Sequence, residues 1–297
     1  MSDGRNLEYL SNFQLSNSQR SDSLSSTSLG SNSPNLSSAV ILHAGTTQDI
    51  TGWQTWLDYF SSRNVFALAI GRSGYAGSTK KPGRITIDIA DDVTELATEL
   101  GIKKFVSIGL SGGGQHAIAT GLDSRCTGVV TVGSLAPFAE LGENFYTGMQ
   151  QADLDEYAEA LKDINLLIKR FQSWLEVDTS TAIAGDKLSE NDLKARQKPT
   201  WSCVMKSCNF TMMQGWDWVA DDYSSYLNPW GFDPRDVHVP AVIWQGGLDK
   251  NVPVQHGQWL SENMPNARLE LRPEESHLGV FVNYEIEIME SAIELLN

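Results

Sequence analysis

Short apolar runs alternate with segments of helical spacing over most of the chain, and this alternation most limits the possible folds. The runs "AVIL" at 39–42 and "VFALAI" at 65–70 have turn signals after them, as strands buried on both faces do. Between them, "WQTWLDYF" at 53–60 has helical spacing. Because alternating strands and helices form parallel sheets covered on both faces, we predict an α/β fold with a mostly parallel central sheet. Further strands are predicted at 104–109, 128–132, 239–245 and 267–271, and further helices at 89–100, 112–122, 254–264 and 284–296.

The alternation is absent in two places, which divide the chain into its predicted parts. Residues 137–236 have amphipathic and aromatic segments, so we expect a helical cap, or lid, inserted into a core formed by 39–136 and 237–297. Residues 1–38 combine a region of one or two short strands with a Ser/Asn-rich segment at 16–38, which is too polar to pack into a core. Within the insertion, one amphipathic helical stripe is predicted from Leu154, Tyr157, Leu161, Ile164, Ile168, Phe171 and Leu175.

Four glycines surround one serine in "IGLSGGGQH", residues 108–116. Gly109, Ser111 and Gly113 fit the pattern G-x-S-x-G, and the segment lies between a predicted strand and a predicted helix, as this motif requires. In so tight a turn, a side chain two positions before or after the serine would collide with neighbouring backbone. The turn also places Ser111 beside the first amides of a helix, which can stabilise an oxyanion. We therefore interpret Ser111 as a nucleophile.

Two phosphate-binding interpretations of the same glycines do not fit. A Walker loop has Lys and then Ser or Thr after its last glycine, whereas Gln115 and His116 follow the last glycine here. A dinucleotide fingerprint occupies the first strand–helix turn of its fold, whereas this segment lies well inside the predicted sheet. We therefore expect no cofactor and no metal.

A serine hydroxyl needs a base, oriented by an acid, before it can attack a carbonyl. The chain has five histidines, and four stand where another role suits them: His43, His116, His238 and His256. The fifth, His277, lies in "PEESHLGVF", in a loop predicted to follow the final strand. Since the C-terminal ends of parallel strands share one edge of the sheet, His277 and Ser111 should lie on the same edge.

The acid should lie on that edge too. "VIWQGGLDKNVP" ends a predicted strand and reaches Asp249 through a two-glycine turn. The chain order Ser111, Asp249, His277 is the order used by one architecture of the serine triad. Taken separately, Asp249 could cap the next helix and His277 could be an ordinary loop histidine. Taken together, these alternatives require three coincidences of position.

These segments give the chain a resemblance to the α/β-hydrolase fold superfamily over nearly all its length beyond the Ser-rich segment. The resemblance implies Ser111 as nucleophile, Asp249 as acid and His277 as base. The first strand of such enzymes is similar to "DGRNLEYL", so the Ser-rich run would be an insertion in the loop that follows. The other matching segments are "LHAGTTQDITGW", "GRSGYAGS", "GLSGGG", "WQGGLDKNVP" and "ESHLGVF".

The resemblance also implies an oxyanion hole. One donor would be the amide of Gly112, and the other an amide in the loop at 43–47. We expect Thr46 to supply the second amide, with Gly45 as the alternative, because "HAGT" resembles the H-x-G-T form of that loop.

The chain departs from the family pattern in ways that narrow the chemistry. The strand predicted to end at Ile70 commonly runs into a structural Asp, but Gly71 and Arg72 follow here. The H-G-G-P-G and G-G-S-W patterns of proline iminopeptidases are missing, which weakens an aminopeptidase interpretation. Epoxide hydrolases and haloalkane dehalogenases use Asp where Ser111 stands, so their chemistry is disfavoured.

Composition excludes several classes of protein. A chain of 297 residues, 41% hydrophobic, suits one large globular fold with an insertion, and a net charge of −15 argues against a nucleic-acid partner. The sequence has no apolar run of bilayer length and no secretory signal pattern, so we expect no membrane association. The three cysteines form neither a zinc pattern nor a complete disulfide framework, which favours a reducing, cytoplasmic location.

The resulting hypothesis is a serine hydrolase that forms an acyl-enzyme with a small, apolar ester, lactone or amide, a carboxylic ester being favoured. Two alternatives stay open: a small-molecule receptor of the same fold with little or no turnover, and an aminopeptidase or C–C bond hydrolase. The aromatic and methionine residues of the insertion either form its own core or line the substrate pocket. In the second case we expect Trp216, Trp218 and Met212 to contact substrate.

Overall fold

One sheet organises the part of the chain that the computed structural model describes, residues 1–13, 36–175 and 189–297. Its strand order is β1-β3-β2-β4-β5-β6-β7, with β1 antiparallel to β3 and all other neighbours parallel. The predicted α/β class and mostly parallel sheet are confirmed. The strands are β1 Tyr9–Ser11, β2 Ser38–His43, β3 Ala67–Ile70, β4 Lys104–Leu110, β5 Cys126–Val132, β6 Ala241–Gly246 and β7 Ala267–Arg272.

The register of the central strands places their C-terminal ends side by side. His43 of β2 pairs with Gly109 of β4, and Val132 of β5 pairs with both Leu110 of β4 and Trp244 of β6. Because parallel strands run in one direction, the loops that follow these residues meet at one edge of the sheet. We call this the C-terminal edge.

Helices cover both faces of the sheet, as the alternating pattern predicts. One apolar cluster packs α1, α11 and α12 against one face, and a second packs α2, α3 and α10 against the other. The helices are α1 Gln54–Ser62, α2 Asp88–Glu99, α3 Gly114–Thr120, α4 Phe138–Leu141, α5 Gln151–Lys162, α6 Ile164–Leu175, α7 Glu190–Ala195, α8 Pro199–Gln214, α9 Asp217–Leu227, α10 Val254–Asn263, α11 His277–Asn283 and α12 Glu285–Leu296.

Helices α4 to α9 lie between β5 and β6, within the predicted insertion, 137–236. Aromatic and aliphatic side chains of α4, α5, α6 and α9 form a third apolar cluster, which also includes Leu135 after β5 and Val252 after β6. The buried Ala195 of α7 and Val204 of α8 belong instead to the cluster that contains α1. The insertion therefore packs onto the C-terminal edge. The exact division of the chain into core and cap stays a prediction.

The prediction of one continuous amphipathic stripe in the insertion is wrong, because the helix stops at Asp163 and restarts. Asp163 has an extended backbone, and its carboxylate accepts hydrogen bonds from the backbone amide and the side chain of Asn165. Asp163 thereby caps the start of α6. Leu161, at the end of α5, is 65% exposed and takes no part in the buried stripe. An Asp side chain that accepts a hydrogen bond from the backbone amide two residues later favours the start of a new helix over continuation of the old one.

The segments at 14–35 and 176–188 lie outside the described residues, and with them most of the Ser-rich segment. Of the one or two strands predicted before it, the described part contains β1. Among the described residues, no helix is long and apolar enough to cross a membrane.

Phe281 anchors the helix that begins with His277. Its ring stacks on Trp56 of α1, with centroids 4.8 Å apart, and meets the edge of Trp53 at 5.5 Å. All three rings are almost completely buried. The packing holds α11 against α1 and so sets where His277 enters the C-terminal edge.

We predict that Phe281→Ala lowers the free energy of unfolding by about 3–5 kcal/mol, because it removes a buried ring and leaves a cavity. Ile286→Ala on α12, 45% exposed, is the matched control and should change stability by about 0.5 kcal/mol or less. Urea unfolding followed by tryptophan fluorescence measures both. Equal losses in the two variants would contradict the anchoring role.

Candidate active site

Ser111 has a backbone conformation that few residues other than glycine adopt. It directly follows β4 with φ of 52°, and a short 3-10 turn, Ser111–Gly113, leads into α3. A Cβ atom on Gly109 would lie 2.4 Å from the Gly113 carbonyl oxygen, and one on Gly113 would lie 2.3 Å from the His43 carbonyl oxygen. Both glycines are therefore required for the backbone to approach so closely, as the sequence pattern predicted. Strained φ values of this kind cluster at functional sites.

His277 and Asp249 form a hydrogen bond, Nδ1 to Oδ2, of 2.7 Å. The other oxygen of Asp249 accepts hydrogen bonds from the amides of Asn251 and Val252 at 2.9 and 2.8 Å. An ionised carboxylate can only accept, so the proton of a neutral His277 ring lies on Nδ1. Nε2 then carries a free lone pair and can act as a base.

The charge of Asp249 outweighs the effect of burial on His277. Burial disfavours the imidazolium, but Asp249 opposes it through its charge and its hydrogen bond, with a further contribution from Asp153, so the pKa of His277 lies above the ordinary value. Asp249 has no exposed side-chain surface, whereas His277 retains 12% exposure. The Asp249–His277 pair therefore stabilises the imidazolium that forms when His277 takes up a proton.

Two glycines leave room for the Asp249–His277 pair. A Cβ atom on Gly133, at φ of 55° after β5, would lie 2.9 Å from the His277 ring and 3.2 Å from Asp249 Oδ2. A Cβ atom on Gly246 would lie 2.4 Å from the Glu275 carbonyl oxygen. His277 is the first residue of α11, whose N-cap Ser276 accepts the amide of Gly279 at 3.0 Å, so it does not lie in the loop that we predicted.

Ser111 reaches the same edge without bonding the pair. Among the described residues, the Ser111 hydroxyl makes no hydrogen bond to His277 or Asp249. Such catalytic hydrogen bonds are often long before substrate binds and tighten in the complex. The structure therefore brings the acid and the base together and places the serine on the same edge of the sheet.

The loop after β2 lies against Ser111. A Cβ atom on Gly45 would lie 3.4 Å from the Ser111 Cβ, and one on Gly112 would lie 2.4 Å from Thr46 Oγ1. The two predicted sources of oxyanion donors, Gly112 and the loop at 43–47, are thus in contact. Their assignment as oxyanion donors stays a prediction.

The other buried histidines make contacts within the fold. His256 in α10 accepts the amide of Ala136 at 3.1 Å and lies 2.9 Å from the Phe145 carbonyl oxygen. His43 Nε2 lies 3.4 Å from Ser107 Oγ. Burial lowers the pKa of His256 to about 4 and, with the nearby Arg72 charge, that of His43 to about 3. Both stay neutral at physiological pH and have other bonding partners.

The predicted substrate contacts occupy different environments. Trp218 is 1% exposed, stacks on Tyr75 at 5.4 Å and donates its indole N–H to the Gly215 carbonyl, so it belongs to the apolar cluster of the insertion. Trp216 is half-buried at the border of that cluster, and Met212 is partly buried on α8. Their contact with substrate stays a prediction.

Sequence patterns missed four residues near Ser111 and His277. Gly133 gave a weak signal, a glycine directly after a predicted strand. Arg72, Asp222 and Tyr226 gave none, because their contacts join distant parts of the chain. Asp222 accepts from Arg72 Nη2 at 2.7 Å, and Tyr226 bonds Thr46 through its hydroxyl.

Comparisons with known proteins identify the family of this fold. A family model described as the alpha/beta hydrolase fold matches residues 38–284. This match covers most of the chain, and the chain belongs to the α/β-hydrolase fold family. The predicted family resemblance is confirmed.

Solved structures show the same fold over the whole chain. A hydrolase from Pseudomonas aeruginosa PA01 is 18% identical, with a TM-score of 0.65, covering 100% of this chain and 96% of its own. An esterase from Exiguobacterium antarcticum is 15% identical, TM-score 0.64, covering 99% and 96%. A bromoperoxidase from Bacillus anthracis is 14% identical, TM-score 0.67, covering 98% and 95%. At these identities the likeness is one of fold.

We predict that Asp249→Asn lowers the pKa of His277, because burial then disfavours the imidazolium against the smaller contribution of Asp153 alone. In the wild type, the pair's contribution to stability is fully present below about pH 6.5 and is lost as the pH rises through the higher pKa of the folded state. An NMR titration of the ring protons, assigned with His277→Gln, measures the shift. His43 and His256 are internal controls that stay neutral, and an unchanged His277 pKa would contradict the pairing.

Proposed function

We propose that this protein is a serine hydrolase that cleaves a small, apolar carboxylic ester. The observation that supports this most is the hydrogen-bonded Asp249–His277 pair on the same edge as Ser111, a serine held in a strained turn. A turn of this kind exposes the hydroxyl at the top of the sheet. Hydrolases and esterases among the structural neighbours are in accord with the proposal.

In the proposed reaction, Nε2 of His277 takes the proton of Ser111 Oγ as this oxygen attacks the ester carbonyl. The amides of Gly112 and Thr46 stabilise the negative charge on the carbonyl oxygen. Asp249 stays ionised and stabilises the imidazolium. Its effect on the pKa of His277, described above, favours this proton transfer.

The tetrahedral intermediate then collapses. The bond to the alcohol oxygen breaks, and His277 gives its proton to that oxygen, which leaves the acyl group on Ser111. His277 next takes a proton from a water molecule that attacks the acyl carbonyl, and returns it to Ser111 Oγ as the acid leaves. An ester suits this sequence better than an amide because its alcohol needs less help to leave.

The preference for an apolar acyl group rests on the insertion. Its apolar cluster packs aromatic rings directly above the C-terminal edge, from Tyr75 on the loop after β3 to Trp216 before α9. Pockets for small molecules are mostly apolar, with few polar groups. The net charge of −15 should also repel anionic substrates.

We predict that a fluorophosphonate probe labels the wild type once and that Ser111→Ala abolishes the label, because the probe reacts with activated serines. The matched control is Ser134→Ala, because Ser134 is buried on the loop after β5, beside Gly114 of α3. This variant should still be labelled at Ser111. Intact-mass spectrometry counts the adducts. Labelling that survives Ser111→Ala, or a wild type that stays unlabelled, would contradict the proposed function.

A second prediction concerns the acyl group. Trp216→Ala should lower kcat/KM for octanoate esters by about 10-fold, the loss of roughly 1.4 kcal/mol of apolar contact, and change acetate esters much less. Met213→Ala is the control, since this side chain is 77% exposed on α8. Equal losses for both esters would assign Trp216 to the core of the insertion and not to the substrate pocket.

A further inference from the structure

A buried ion cluster joins the insertion to the loop that carries the proposed oxyanion donor. Asp222 of α9 bonds two arginines, accepting from Arg72 Nη2 at 2.7 Å through one oxygen and from Arg84 through the other. The exposed side-chain fractions are 0% for Asp222, 2% for Arg72 and 4% for Arg84. Burial opposes the charge of Asp222, but both guanidinium groups outweigh it and keep its pKa below the ordinary value.

Such a cluster needs a reason other than stability. Removing charges from water costs several kcal/mol per ion, and buried ion pairs often stabilise a fold no more than apolar residues of similar volume. The residues that the cluster holds in place therefore indicate its role.

Arg72 holds two peptide groups of the loop after β2. Its Nη1 donates to the Ala44 carbonyl oxygen, and its Nη2 lies 3.5 Å from the Gly45 carbonyl oxygen. Among the described residues no peptide bond is cis, and in a planar trans peptide the N–H points away from the C=O. The contact with the Gly45 carbonyl oxygen therefore directs the N–H of Thr46 to the side of the peptide away from Arg72. The hydrogen bond to the Ala44 carbonyl oxygen does the same for the N–H of Gly45.

Tyr226 holds the same loop from one helical turn further along α9. Residues four apart lie on one face of a helix, so Asp222 and Tyr226 point the same way. The Tyr226 hydroxyl bonds Thr46 Oγ1 and lies 3.0 Å from Asp222 Oδ2. A Cβ atom on Gly112 would lie 2.2 Å from this hydroxyl, so the glycine after Ser111 leaves the space that Tyr226 occupies.

We propose that Asp222 and Tyr226 are positioning residues, which act through Arg72 and Thr46 to hold the loop at 44–47 in the conformation that aims its amides at the oxyanion. This proposal rests on the proposed function. It makes helix α9 a fixed wall of the active site, so the insertion contributes to catalysis as well as to the choice of substrate.

The first test uses two tyrosines of the same helix. Tyr226→Phe removes the hydroxyl that bonds Thr46, and Tyr223→Phe, the control, removes one that bonds Glu156. We expect Tyr226→Phe to lower kcat for a 4-nitrophenyl ester on the order of 10- to 100-fold with KM within about twofold, since small misplacements of catalytic groups have effects of this size. Tyr223→Phe should leave both parameters close to wild type.

The second test separates binding of the transition state from binding of substrate. An alkyl trifluoromethyl ketone adds to the serine and places its oxyanion in the hole, so its inhibition constant should rise by the factor that kcat/KM falls. Asp222→Asn should behave like Tyr226→Phe, whereas Asp221→Asn, the same charge change at a residue that bonds the Gly83 amide, should not. If Asp222→Asn does not fold, the tyrosine pair decides.

A third measurement does not depend on activity. Hydrogen exchange at the amides of residues 44–48 should be faster in Tyr226→Phe than in Tyr223→Phe, with melting temperatures within a few degrees. If Tyr226→Phe exchanged these amides at the wild-type rate, or exchanged them faster with an unchanged kcat, the positioning roles would be overturned. A wild type that neither turns over esters nor takes up the fluorophosphonate would contradict the proposed function, and loop exchange would then decide the positioning alone.

Discussion

The parallel register of β2, β4, β5 and β6 is the constraint on which the rest of the structure depends. It places the ends of these strands side by side, so the groups that follow them meet at one edge. Ser111 follows β4 and Asp249 follows β6 through the two-glycine turn, while His277 arrives after β7 at the start of α11. A shift of register along any of these strands would separate the side chains that the proposed reaction needs.

Close backbone contacts are the second requirement of the site. Gly109, Gly113 and Gly133 each lie where a side chain would meet backbone, or the His277 ring, at less than 3 Å. The first two contacts shape the turn that carries Ser111, and the third leaves room for the His277 ring. The insertion also contacts this edge, because Asp222 and Tyr226 of α9 bond Arg72 and Thr46. The strained φ of Ser111 and the buried Asp222–Arg72 ion pair both lie at this edge of the sheet, and such features are common at functional sites.

Local patterns in the sequence predicted much of this arrangement. Apolar runs located the central strands to within two residues, and the strand–turn–helix context located Ser111, because periodicity and turn chemistry act over short distances. The break at Asp163 depends on one side chain bonding the next turn, which apolar periodicity does not register. Arg72 and Asp222 are 150 positions apart, and their pairing follows from how the insertion packs. Such tertiary contacts carry no local signal.

In the proposed reaction, Ser111, His277 and the amides of Gly112 and Thr46 act on one carbonyl group. The most direct measurement is a crystal structure of the protein after reaction with an alkyl fluorophosphonate. We expect a phosphonate on Ser111 Oγ, with its phosphoryl oxygen about 3 Å from both amide nitrogens and His277 Nε2 near the remaining oxygens. A phosphonate on another residue, or one whose oxygen points away from both amides, would contradict it.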